Sequence, residues 1–333
     1  MRKIAYLGVI LLIVLGACSS GEEDDNKLVI YSPNSEDIIN TIIPMFEQET
    51  GIEVELVSAG AGELIKRVET ESENPYGDIL FGTIRKGEHP DLIQEYVSPN
   101  DEAMLEQHKN YENLYTPYIT NGSVLLVNTD LIGDIKVDGY EDLLNPELKG
   151  KIAAADPAAS SSSFAQLTNM LLAMGGDYTS DEGWDYVSQL VENLDGRVAS
   201  GSGAVHRSVA DGEYVVGLTY EDPALAYVRD GAPVEVVYPK EGTVFLDATV
   251  NIIKDAKNLD NAKEFVDFVI SEQSQEAFGT ELTNRPLREN VELGESMVDI
   301  ADIYTIEEDE EYVREHKDEI VETYKDVFME AQE

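Results

Sequence analysis

Short apolar runs alternate with amphipathic segments along the first third of this chain, and that alternation limits the fold more than any single motif. Leu28-Val29-Ile30-Tyr31-Ser32 has the pattern of a buried strand, and Pro33-Asn34 after it is a turn signal. Ser35 is placed to cap a helix, with Glu36 and Asp37 in its first turn, where the helix dipole favours carboxylates. Ile38, Ile39, Ile42, Ile43 and Phe46 recur at helical spacing; Pro44 should kink this helix and Gly51 should stop it. A strand over residues 53–57 follows. Gly60-Ala61-Gly62 then opens a helix carrying Leu64, Ile65 and Val68, and Asp78-Ile79-Leu80-Phe81-Gly82 reads as a third strand. This order predicts a parallel sheet covered by helices on both faces.

The theme repeats further on. Strands are expected at 123–127, 151–155, 215–219 and 249–253, with another apolar run at 234–238. Helices are expected at 160–174, around Val187, Leu190, Val191 and Leu194, around Val205 and Val209, and at 258–271 and 274–278. A short helix within 140–150 and a very acidic C-terminal pair complete the series, with no repeat at a fixed period. A chain of 333 residues exceeds what one core comfortably serves, so two α/β lobes joined by at least two crossings are expected.

The N-terminus reads as an export signal. Arg2 and Lys3 precede an apolar run from Ile4 to Leu15, and Leu15-Gly16-Ala17-Cys18 follows with small residues before the cut. A helix of that length rises only about 18 Å, short of a bilayer core of about 30 Å. The cysteine after Leu-Gly-Ala resembles the bacterial lipobox, which implies lipidation of Cys18 and a membrane tether at the new N-terminus; the alternative is an ordinary signal peptide with an incidental cysteine. Cys18 is the only cysteine, so the mature chain can form no internal disulfide. Residues 1–18 are therefore assigned to the signal and 19–27, small and charged, to a flexible spacer.

With 67 acidic against 23 basic residues the formal charge is −44, and loss of Arg2 and Lys3 with the leader takes it to −46. Such a polyanion excludes nucleic acid as a partner. The acidity would suit either steering of a cationic ligand or a salty or alkaline habitat. Its even spread along the chain, including Glu307-Glu308-Asp309-Glu310-Glu311, favours habitat.

Several segments in their joint order carry a family likeness. They are Leu28 to Tyr31, Met45-Phe46-Glu47-Gln48-Glu49-Thr50-Gly51-Ile52, Asp78-Ile79-Leu80-Phe81, Asp142-Leu143-Leu144-Asn145-Pro146 with Lys149-Gly150-Lys151-Ile152, Val209-Ala210-Asp211-Gly212-Glu213-Tyr214, and Asn284-Arg285-Pro286-Leu287-Arg288. Together they resemble the type II periplasmic solute-binding proteins of ABC importers, in the branch that includes ferric-iron, thiamine, 2-aminoethylphosphonate and sugar-phosphate receptors. The likeness spans roughly residues 27–290; the acidic tail beyond Asn290 lies outside it. The resemblance implies an α/β, two-lobed periplasmic-binding-protein type II fold, each lobe a mixed sheet flanked by helices, with the ligand cleft between lobes. Lobe one is expected to hold residues 28–122 plus about 236–285, and lobe two 123–235 plus about 286–333. Ligand groups should then come from strand ends and helix starts.

Ser160, Ser161 and Ser162, followed by Ser163, enter a helix and offer hydroxyls and free amides to an anion; a single capping serine would account for only one of them. In the family the corresponding loop holds a phosphate or similar anion. Ser200-Gly201-Ser202-Gly203-Ala204-Val205-His206 offers a second nest through Ser202, with His206 as a donor or an ordinary core histidine. Tyr220, Glu221 and Asp222 end a strand where the ferric branch carries adjacent tyrosines. Asp222 and Pro223 stand in their place, which counts against iron and leaves hydrogen bonding to sugar hydroxyls or an ammonium, or simple turn chemistry. Ser32, Asn34, Gly60, Ala61 and Thr83 line the strand ends of the first lobe, and Asp247 precedes a late strand.

The expected function is capture of a small solute, an organic phosphate or phosphonate, by lobe closure and delivery to an ABC permease and its ATPase. A ferric-iron or thiamine receptor is the alternative, and a surface hydrolase a remote one. No Gly-x-Ser-x-Gly elbow, His-Glu-x-x-His motif or metal-ligand spacing among the histidines appears, so neither catalysis, a cofactor nor a bound metal is expected. A monomer touching the membrane only through its lipid completes the expectation.

Overall fold

In a computed structural model, which describes residues 26–331, the first segments fold as β1 (Lys27–Ser32), α1 (Glu36–Thr50), β2 (Glu53–Ser58), α2 (Ala61–Glu71) and β3 (Ile79–Phe81). The expected start and stop of α1 are both present. Ser35 accepts a hydrogen bond from the Ile38 amide, and Gly51 ends the helix at φ 74°, a left-handed conformation that suits glycine. Pro44 lies within a single helix that continues to Thr50. Strands β2 and β3 flank β1, both parallel to it. Cys18 and most of the spacer lie outside the described residues.

The chain continues through β4 (Ile93–Gln94), β5 (Thr116–Asn128), β6 (Ile152–Ala153), α3 (Ser161–Gly175), α4 (Asp181–Leu194) and α5 (Ser202–Ala210). Then come β7 (Val216–Tyr220), α6 (Glu221–Arg229), β8 (Val234–Val237), β9 (Phe245–Ile253), α7 (Leu259–Val269) and α8 (Glu272–Glu276). The chain ends with β10 (Arg285–Pro286), α9 (Glu310–Glu315) and α10 (Lys317–Glu330). Helix α6 replaces the turn suggested by Asp222-Pro223. Proline is tolerated in a first helical turn because the amide it lacks would be unpaired there anyway.

The strands follow the order β2-β1-β3-β9-β5-β7-β6. Parallel pairing holds among β1, β2 and β3, whereas β9 runs antiparallel to both β3 and β5, so the sheet is mixed. Strand β5 belongs to two ladders. Its residues 116–122 pair with β9, and 123–128 pair with β7 and β8.

Separate cores flank this strand. One gathers Ile30, Phe46, Phe81, Tyr118, Phe265 and Phe278, with Phe46 edge-on to Phe265 at 5.0 Å between ring centroids. The other gathers Leu125, Tyr140, Phe164, Leu167, Tyr186 and Leu218. The acidic tail joins the second core through Val313, Ile320 and Tyr324, which are buried there. Tyr178 and Tyr312 also stack at 5.2 Å, fastening α9 to the loop between α3 and α4. The fold is the two-lobed α/β arrangement expected, with a cleft between the lobes.

Candidate binding cleft

A cavity of about 960 Å³ opens where strand ends and helix starts from both cores converge. Asn34, Gly60, Ala61 and Thr83 form one side, and Ser160, Ser161, Ser162, Ser202 and Tyr220 the other, with Asp222 and Asp247 between. Asn34 is held by two contacts: its Nδ2 donates to the Phe81 carbonyl at 3.3 Å, and its Oδ1 accepts from the Tyr118 hydroxyl at 3.0 Å. Gly82, at φ 76°, permits this approach, because a Cβ there would fall 2.5 Å from Asn34 Oδ1.

The serine run divides its labour. Ser160 caps α3 by accepting from the Ser163 amide, and its hydroxyl lies 3.1 Å from that of Ser162. Ser163 turns inward and donates to the Ala155 carbonyl. Ser161 and Ser162 remain on the cavity wall in the first turn of a fifteen-residue helix, where backbone N–H groups lack intrahelical partners. Gly201, Ser202 and Gly203, at the start of α5, face the same space.

Three expected site residues stand apart from the cavity wall. The Ser32 hydroxyl is fully buried, donating to the Phe81 carbonyl at 2.8 Å and accepting from the Asn34 amide, so it shapes the loop beneath the site. His206 sits behind the wall with Nδ1 3.3 Å from Thr219 Oγ1, and burial pulls its pKa down to about 4, which keeps the ring neutral. Glu221 is fully buried and forks onto Arg285, with Tyr238 donating to the same carboxylate at 2.5 Å. Each of these side chains is already committed to protein partners.

Asp222 does face the cavity. Its Oδ1 accepts from Thr283 Oγ1 at 2.8 Å, and burial raises its carboxyl above the usual range against the pull of neighbouring donors. Tyr220 is likewise pushed up to about 12 by burial, so it stays a neutral phenol. Asp247 pairs with His108, Oδ2 to Nδ1 at 2.7 Å. Asn284 lies beside Asp222 on the wall, 1% exposed, with neither amide atom in a well-formed hydrogen bond among the described residues.

Sequence reasoning missed a second group. Arg85 and Lys86 lie in the loop after β3, and Glu308, Glu310, Arg314 and Lys317 come from the tail; all line the cavity. Burial raises the carboxyls of Glu308 and Glu310, and the former accepts from Thr168 Oγ1 at 2.6 Å. Arg85 and Lys86 were findable as a strand-end pair. Glu308 and Glu310 were hidden among like-charged neighbours, and no local pattern set Arg314 or Lys317 apart within the acidic tail. No group of three histidine, cysteine or carboxylate side chains able to hold a metal occurs among the described residues.

Residues 28–280 match the family model described as "Bacterial extracellular solute-binding protein". The chain belongs to that family. It is a type II periplasmic solute-binding protein of the kind that serves ABC importers. Its backbone is similar to that of the periplasmic binding protein AfuA from Actinobacillus pleuropneumoniae, solved with exogenous fructose-6-phosphate, at TM-score 0.78 and 25% identity. The match covers 91% of this chain and 98% of AfuA. By sequence the chain is 25% identical to the spermidine/putrescine-binding periplasmic protein of Escherichia coli over 273 residues, 78% of this chain and 76% of that one. It is 24% identical to iron uptake protein A1 of Synechocystis over 325 residues, 89% of each. Cargo thus varies among relatives while the receptor architecture does not.

Proposed function

We propose that this receptor captures an organic phosphate or phosphonate, such as a sugar phosphate or 2-aminoethylphosphonate, and delivers it to a membrane permease driven by an ATPase. The carrying observation is the start of α3, where Ser161 and Ser162 line the cavity with hydroxyls and first-turn amides at the positive end of a long helix. Likeness to AfuA, solved with fructose-6-phosphate, supports the same class. Asp222, Asn284, Asn34 and Tyr220 would take the hydroxyls or ammonium at the other end of the solute.

Capture proceeds by lobe closure, with residues 28–122 and about 236–285 in one lobe, and 123–235 and about 286–333 in the other. The segments contributing to the separate cores support this division in the main, although Leu287 packs in the first core and Val237 against the second. A lipidated Cys18 would hold the receptor, as a monomer, at the extracytoplasmic face of the membrane; Cys18→Ser should abolish incorporation of labelled fatty acid into the receptor.

Isothermal titration against fructose 6-phosphate, 2-aminoethylphosphonate, spermidine, thiamine and ferric citrate tests the ligand class. Binding of a phosphorylated or phosphonate ligand alone supports it, and binding of none defeats it while leaving the receptor family untouched. A cationic cargo is the second reading, favoured by Asp222, Asp247, Glu308 and Glu310 on the same wall. A visible charge-transfer band on adding ferric salt would support the iron form of that reading.

A further inference from the structure

The charge lining the cleft departs from that of the chain. Acidic residues outnumber basic ones 67 to 23 overall, yet the cavity wall carries Arg85, Lys86, Arg314 and Lys317 against five carboxylates. None of these four cations has a carboxylate oxygen within 4.0 Å among the described residues, although the protein abounds in carboxylates. Two of the four come from the tail, beyond the family match that ends at residue 280.

The tail is placed to bring them to one end of the cleft. Val313 and Ile320 are buried in the second core, which anchors α9 and α10. Lys317 Nζ then lies 5.4 Å from the centre of the Phe164 ring, one turn into the helix that Ser160 caps. Arg314 reaches the loop after β3, where its guanidinium occupies the space over Gly87: a Cβ there would fall 2.5 Å from Nη1. The cations therefore lie between the serine-lined helix start and the Arg85-Lys86 pair.

Hydroxyls and amides at a helix start suffice to hold a single negative charge. Cationic side chains with no direct ion-pair partner are available for a second one, even with carboxylates elsewhere on the same wall. We propose that Arg314 and Lys317 are specificity residues that read the second negative charge of a terminal phosphate or phosphonate, selecting dianions over singly charged analogues. This rests on the phosphate reading of the cleft. A phosphate monoester has its second pKa near about 6, so at neutral pH it carries the extra charge that a sulfate ester of the same shape lacks.

The experiment titrates the full-length receptor with fructose 6-phosphate and with fructose 6-sulfate, comparing wild type with Arg314→Gln, Lys317→Gln and the double variant. Both side chains are exposed, so folding should survive, and matched thermal melts check it. Lys325→Gln, also on α10 but off the cavity wall, is the control. Wild type should prefer the phosphate at pH 8. Each single variant should lose about tenfold in phosphate affinity, the double more, with sulfate affinity nearly unchanged and the control like wild type. Equal loss for both ligands, or no loss for either, overturns the assignment. Failure of wild type to bind any phosphorylated or phosphonate ligand instead defeats the ligand class, and this inference with it.

Discussion

Arg285 and Glu221 form a buried two-pronged ion pair, Nη2 to Oε1 at 2.5 Å and Nε to Oε2 at 3.1 Å. Arg285 lies on β10, which pairs with the first half of β5, whereas Glu221 opens α6 after β7, which pairs with the second half. The pair thus links the two ladders beneath the cleft. Removing one partner leaves a lone buried charge, so Glu221→Ala or Arg285→Ala should each cost about 3–5 kcal/mol. Replacing both with apolar residues of similar volume should cost far less. Urea denaturation of the two singles and the double tests this; additive losses in the double would refute the coupling.

The first turn of α3 allows capping to be separated from ligand contact. Ser160→Ala should lower stability by about 1 kcal/mol through loss of the cap. Ser161→Ala and Ser162→Ala should leave the melting temperature nearly unchanged but weaken phosphate binding by about tenfold each, the range of a hydrogen bond to a charged group. Calorimetry paired with thermal melts would read both effects, and equal affinity across all three variants would remove the helix start from the site.

His206 gives a pH signature. Its folded pKa of about 4 lies below the ordinary value of 6.5, so the folded state resists protonation. Its contribution to stability is complete above pH 6.5 and is lost as pH falls from there toward 4. His206→Gln should flatten the slope of unfolding free energy in that window. An unchanged slope would mean the ring titrates alike in both states.

Asp222 sets stability against binding. Burial raises its carboxyl, so the ionised form is disfavoured in the folded protein, increasingly as pH rises above the ordinary carboxylate range. Asp222→Asn keeps an acceptor for Thr283 and removes that burden. The free protein should melt at an equal or higher temperature at neutral pH, while affinity for a sugar phosphate falls about tenfold or more. A variant that melts lower without losing affinity would make Asp222 a structural residue.

The regular elements were legible because local chemistry dictates them. Ser35 and Gly51 bracket α1 as their side-chain and backbone preferences require, and the apolar runs at Leu28 and Ile79 became the sheet around β1. Helix α6 escaped notice because Asp222-Pro223 signals a turn as readily as a helix start. On the cavity wall, Ser161, Ser162 and Asp222 stand where strand-end and helix-start rules put them. Ser32 and Glu221 fit the same rules, but their polar atoms are spent on Phe81 and Arg285, partners distant in sequence. Arg314 and Lys317 reach the cleft only because Val313 and Ile320 dock the tail on a remote core, a contact no local pattern announces.

Because β5 runs from one ladder into the other, both halves of the sheet hang on a single strand. The strand passes from β9 to β7 at Gly122 and Ser123, and a Cβ at Gly122 would fall 2.7 Å from the Phe245 ring. Flexure concentrated at that joint would swing each half as a stiff plate through an arc set by one angle. A permease reading the receptor's outer face would then measure that angle rather than the chemical identity of the cargo, which suits a scaffold shared by relatives carrying such different solutes.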